Sequence, residues 1–151
     1  EIWAQAHIRF EIESIRRPLA SGASSFQSLI DSQAKKAGKV LSQIYAGSEL
    51  LDGGWNLVLI EDFGSMPPGV YSCDSRVLIA ARYFGPNSKE APSNVLAHEF
   101  GHSLSLPHKC GEGENLMCAN GKQPEALTPE QIEAARAQAL LAHPANCSGD
   151  G

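Results

Sequence analysis

Along positions 2–12 the even residues are Ile2, Ala4, Ala6, Ile8, Phe10 and Ile12, and the odd ones are mostly polar or charged, Trp3 excepted. A period of two predicts a half-buried strand. After a Pro/Ser/Gly-rich turn over 18–25, the segment 26–45 carries Phe26, Leu29, Ile30, Ala34, Ala37, Leu41 and Ile44 at helical spacing, with Ser24 or Ser25 placed to cap it. Gly47, Gly53 and Gly54 interrupt the chain before a second predicted strand, 55–62. Two short extended pieces, 70–73 and 76–84, follow a loop reading GSMPPG. Pro92 and Ser93 are suited to open a helix that runs to about residue 105 and is stopped by Leu106 and Pro107. An irregular, Gly-rich stretch from 109 to 126 leads to Thr128-Pro129-Glu130-Gln131, a capping box with Pro at the first helical position. The last predicted helix covers about 129–142 and ends at His143 and Pro144. Strands and helices of this kind in one chain predict an α+β fold.

With 151 residues, 42% of them hydrophobic and 19% charged, the chain suits one packed domain. A net charge of −5 argues against a nucleic-acid partner, which needs a clustered positive face. Arg16 with Arg17 and the group Lys35, Lys36 and Lys39 are the basic clusters, and the second reads as a solvated helix face. No apolar run approaches the roughly 18 residues of a membrane span, so no membrane span is expected. The chain starts at Glu1 without a signal-peptide pattern, which suits a mature form or a domain of a larger exported protein.

Four cysteines, Cys73, Cys110, Cys118 and Cys147, form no CxxC pair. That favours disulfides in an oxidising, extracytoplasmic compartment over a thiolate metal site, with four free thiols as the alternative. Of the three possible pairings, Cys110 with Cys118 closes a short loop and Cys73 with Cys147 ties the tail to the body.

Three of the five histidines fall in one eleven-residue stretch, HEFGHSLSLPH, at His98, His102 and His108. Residues four apart share a helix face, so His98 and His102 can present two imidazoles to one ion. Leu96, Phe100 and Leu104 fall on the roughly opposite face, which can be buried. Glu99 lies beside the ligand pair, where a general base belongs. His108, beyond the helix stop, supplies a third nitrogen, and three neutral imidazoles with an open fourth position describe a catalytic zinc site. His7 and His143 are not expected to be ligands.

The stretch 95–117, with HEFGHSLSLPH followed by ENLM, resembles the metzincin clan of zinc endopeptidases and most closely its matrixin-type branch. The resemblance covers about a sixth of the chain. It implies a small catalytic domain with a twisted, mostly parallel sheet packed with helices, the zinc helix at a cleft, and a C-terminal helix after a methionine turn. It further implies an N-terminal subdomain over 1–108 and a C-terminal one over 109–151, with His98, His102 and His108 as zinc ligands, Glu99 as base and Met117 as the turn methionine. Two positions depart from the pattern. Ser105 stands where the family has glycine, so either Ser105 takes a left-handed conformation, at a cost of about 1 kcal/mol, or the chain turns differently towards His108. Ala119 offers no tyrosine ligand of the astacin and serralysin kind.

The expected function is hydrolysis of peptide bonds by a water activated at one Zn2+, with Glu99 as general base and a protein or peptide as substrate. A monomer is expected, with the substrate backbone lying along the exposed edge of 70–73 or 76–84. Two alternatives stand beside it. One keeps the HExxH zinc and takes Glu125, Glu130 or Glu133 as third ligand, as in gluzincins; the other is a non-catalytic binding domain ordered by its metal.

Overall fold

The apolar run Val77–Ala81 is the middle strand of a three-stranded sheet. The computed structural model describes residues 2–15, 54–60, 69–73, 76–81, 92–111, 115–118 and 125–145. Within these the strands are β1 (Asn56–Ile60), β2 (Gly69–Ser72) and β3 (Val77–Ala81), and the α-helices are α1 (Pro92–Ser103) and α2 (Pro129–Ala139). The fold is α+β, as the sequence predicts. Strand β3 pairs with β1 in parallel and with β2 antiparallel, so the described sheet is mixed, whereas a mostly parallel one was expected. The short β2–β3 link explains the antiparallel pair, since a parallel pair needs a long crossover. The predicted helix over 26–45 lies outside the described residues.

The predicted strand at 2–12 is not formed. Ile2–Ala6 is a 3-10 helix, His7 turns with φ 52°, and 8–15 has no regular structure. Trp3 and Ala6, three apart, stack on one side of a 3-10 helix, and both are buried while Ala4 is exposed. Trp3, the exception to the alternation, is the residue the core takes, because an indole removes more apolar surface from water than Ile2 or Ala4 can. Arg136 Nε donates to the Ala6 carbonyl at 2.8 Å, which ties this turn to α2, and Gln5 Nε2 donates to the Ile2 carbonyl within the turn and to the Glu125 carbonyl ahead of α2.

One core runs from the N-terminal 3-10 helix to α2. Trp3, Ala6, Ala97, Leu104, Leu106, Leu116, Met117 and Ala135 pack together, with Phe10, Trp55 and Phe100 at its margin. Residues from both sides of His108 therefore share a single interior. Phe10 packs against Phe100 with ring centroids 4.1 Å apart, and Trp55 Nε1 donates to Ser103 Oγ at 2.9 Å. Helix α1 lies against β2 and β3. The residues after α2 return to the same place: Ala145 N–H donates to the Ser103 carbonyl at 2.8 Å, and the Tyr71 hydroxyl donates to the Ala145 carbonyl.

Candidate metal centre

Helix α1 ends in a way that builds half of the site. Leu106 N–H donates back to the Gly101 carbonyl and Ser105 N–H to the His102 carbonyl, each at 3.0 Å, with Ser105 at φ 65°. This pair of bonds around a left-handed residue is a Schellman ending. Of the two routes open to the sequence, the chain takes the left-handed one at Ser105, and Ser105 Oγ donates to Gln138 Oε1 at 3.0 Å. The reversal has two results. It turns the Leu106 carbonyl towards His102, whose Nδ1 lies 2.8 Å away, and it brings His108 back over the helix.

The other half comes from the turn 115–118, closed by Cys118 N–H donating to the Asn115 carbonyl at 3.1 Å. Its Leu116 carbonyl sits 2.7 Å from His98 Nδ1. Lys109 N–H donates to the Met117 carbonyl at 2.8 Å, and a Cys110–Cys118 disulfide closes the loop between, as the spacing predicts. Cys73 is also disulfide-bonded, while its expected partner Cys147 lies outside the described residues.

A carbonyl only accepts, so Nδ1 of His98 and of His102 each carries the proton and Nε2 keeps its lone pair. The three Nε2 atoms form a near-equilateral triangle: 3.1 Å between His98 and His102, 3.1 Å between His102 and His108, 3.2 Å between His98 and His108. The His98–His102 contact thus sets two lone pairs face to face with no proton to share, an arrangement that a cation relieves. Tetrahedral zinc with bonds of about 2.0–2.1 Å holds its ligand nitrogens roughly 3.3–3.4 Å apart. The triad therefore fits such an ion closely, and no other described residue joins the group. Glu125, Glu130 and Glu133 are exposed and outside it, so none of them stands as the third ligand in place of His108.

The triad grades from buried His98 through half-buried His102 to exposed His108. Burial lowers the pKa of His98 and, with the nearby His98, pushes His102 down to about 4. Both rings therefore stay neutral, as metal ligation requires. Glu99 is buried too, with its side chain, like that of Val95, against Gly69, and burial raises its carboxyl to about 8 against an opposing hydrogen bond from the Tyr71 backbone. A cation at the triad favours the ionised carboxylate. Met117 is fully buried beneath α1, packed on Gly101. His7 is exposed and His143 Nδ1 faces the Pro144 carbonyl, so neither joins the group.

The residues that the sequence alone did not single out are Gly69, Gly101, Asn115 and the carbonyls of Leu106 and Leu116. Only Asn115 carried a signal, as a turn-forming residue two before the methionine. No protein-family model, curated protein or solved structure matches this chain, which leaves the geometry of the site as the ground for its function.

Proposed function

We propose that the protein is a zinc-dependent endopeptidase of metzincin type, most like the matrixin branch, acting outside the cytoplasm on a protein or peptide substrate. The observation that carries this reading is the triangle of three Nε2 atoms at 3.1–3.2 Å, two of them with lone pairs fixed by backbone acceptors, with a buried Glu99 next to His98 in the chain. His98, His102 and His108 hold the ion. Bound there, Zn2+ supplies Lewis acidity and brings the pKa of a water towards neutrality. Glu99 accepts a proton from the attacking water as the new C–O bond forms, and delivers it to the amine as the C–N bond breaks. The low-dielectric surroundings of Glu99 raise its basicity, which suits both transfers.

Of the two strand edges considered for the substrate, the described part of 76–84 forms β3, which has a strand on each side, so the reading takes the other. Strand β2 has β3 on one side and no second neighbour among the described residues, and its Gly69 lies against Glu99. A peptide adding to the sheet here would run along the strand that Glu99 packs on.

The test is metal analysis combined with cleavage of an unstructured protein such as casein. One zinc per chain, with cleavage abolished by a chelator and restored by zinc, is the expected result. A zinc-loaded protein that cleaves nothing overturns the peptidase reading and leaves a metal-ordered binding domain.

A further inference from the structure

Helix α2 begins with a capping box in which Gln131 takes part, and the same side chain does something the cap does not need. Its Oε1 accepts from Thr128 N–H at 2.9 Å, while Gln131 N–H donates to Thr128 Oγ1 at 3.4 Å. An oxygen at this position completes the cap, and Glu supplies it as well as Gln. The Gln131 amide nitrogen is superfluous to the cap. It donates to Asn115 Oδ1 at 3.1 Å, and Asn115 Nδ2 donates back to Gln131 Oε1 at 2.8 Å, both side chains being buried. Asn115 Oδ1 also accepts from Met117 N–H at 2.9 Å. Backbone donors at Thr128 and Met117 thus each require an oxygen, which gives both amides a single orientation.

We infer that the Asn115–Gln131 amide pair is a positioning device for the metal centre, holding the turn 115–118 so that its Leu116 carbonyl orients His98. This rests on the reading of His98, His102 and His108 as a metal site. The hydrogen bonds run without a break from the start of α2 to the turn, and the turn presents Leu116 O to His98 Nδ1 at 2.7 Å. Leu116 N–H is anchored separately, on the Ala126 carbonyl at 2.8 Å, so the turn is held on both sides. Groups that orient a ligating imidazole typically change metal affinity by about 10- to 100-fold when removed. Gln131 acts one step further out, through Asn115.

Gln131→Glu separates the two roles. It keeps the oxygen for Thr128 N–H and replaces the donor to Asn115 by a second oxygen facing Asn115 Oδ1. Asn115 then has to release Gln131 or Met117. The experiment titrates the full chain with Co2+, reading affinity and the visible ligand-field spectrum, and records the imidazole N–H resonances of the metal-free protein. Q131E is expected to unfold within a few degrees of the wild type and to bind Co2+ about 10-fold more weakly. Its His98 Nδ1–H signal shifts or broadens, while that of His102, held by Leu106, stays in place. Asn115→Asp makes the mirror-image change, setting a second oxygen against Gln131 Oε1 in place of the Asn115 donor, and is expected to weaken Co2+ binding at least about 10-fold. Wild-type Co2+ affinity and spectrum in Q131E overturn the inference, as does wild-type affinity in N115D. A wild type that binds no Co2+ overturns the metal site itself. Should Q131E not fold, the wild type still decides: rapid solvent exchange at His98 Nδ1–H means that nothing holds the ring.

Discussion

A methyl group built on Gly101 stands 2.3 Å from Met117 Sδ and 2.9 Å from its Cε, far inside any contact that carbon and sulfur tolerate. The helix bearing His98 and His102 is therefore seated directly on the methionine of the turn that orients His98. Trp3 closes the same contact from the N-terminal side, its ring edge 3.6 Å from that methyl position. Gly101 lies between the two histidines, so the bare backbone is what lets metal helix and turn approach each other.

Gly101→Ala tests this contact. At an exposed helical site the change stabilises by about 1 kcal/mol. Here overpacking, which costs roughly 1–3 kcal/mol, outweighs the propensity gain because Met117 is fully buried and has no space to retreat into. A lower melting temperature is expected, by several degrees, and when Met117→Ala is added the combined loss should be less than the sum of the two separate losses. A melting temperature at or above the wild type's would show that the core yields more readily than the distances allow.

Glu99→Gln keeps the shape of the side chain and removes its ability to take a proton. Zinc content is expected to be unchanged and peptide cleavage to fall by about 10²- to 10⁴-fold. Single-turnover cleavage of a fluorogenic peptide measures it, and near-normal turnover would place the base elsewhere.

His108→Ala removes the most exposed corner of the nitrogen triangle. Competition with a chromophoric chelator is expected to show zinc affinity falling by more than about 100-fold, beyond what loss of an outer hydrogen bond produces. The zinc-dependent rise in melting temperature should shrink in parallel, since a ligand stabilises only as far as its concentration exceeds its dissociation constant. One tightly retained zinc in this variant would mean that the third ligand is a different residue.

Tyr71 ties β2 to the segment after α2, and burial raises its hydroxyl to about 12, partly opposed by the charge of Arg76. A folded-state pKa above the unfolded value of about 10 means that this residue's stabilisation is complete below pH 10 and is lost between pH 10 and 12. Spectroscopic titration should show one tyrosine ionising near pH 12, absent in Tyr71→Phe. That variant also leaves the Ala145 carbonyl without its donor and should lose about 1–2 kcal/mol near neutral pH. A full complement of ordinary tyrosine titrations in the wild type would contradict the burial of this hydroxyl.

The sequence by itself determined the parts of this protein that depend on neighbours within one turn of chain. Pro92 and the HExxH spacing placed α1, and the capping box at Thr128 placed the start of α2. The short separation of Cys110 and Cys118 likewise marked the disulfide that forms. These are interactions between residues a few positions apart, and their energies are written in local order. Tertiary structure decided the rest. Alternation over 2–12 predicted a strand, and the core overruled it because Trp3 has more surface to bury than the even-numbered residues, which no local pattern weighs. Ser105 could have turned either way; the chain accepts a left-handed residue there because doing so satisfies the helix-end carbonyls, gives His102 an acceptor and returns His108 to the triad. The orientation of His98 depends on a carbonyl eighteen residues away and on an amide pair beyond it, groups that meet only after the turn 115–118 and helix α2 have packed on one core.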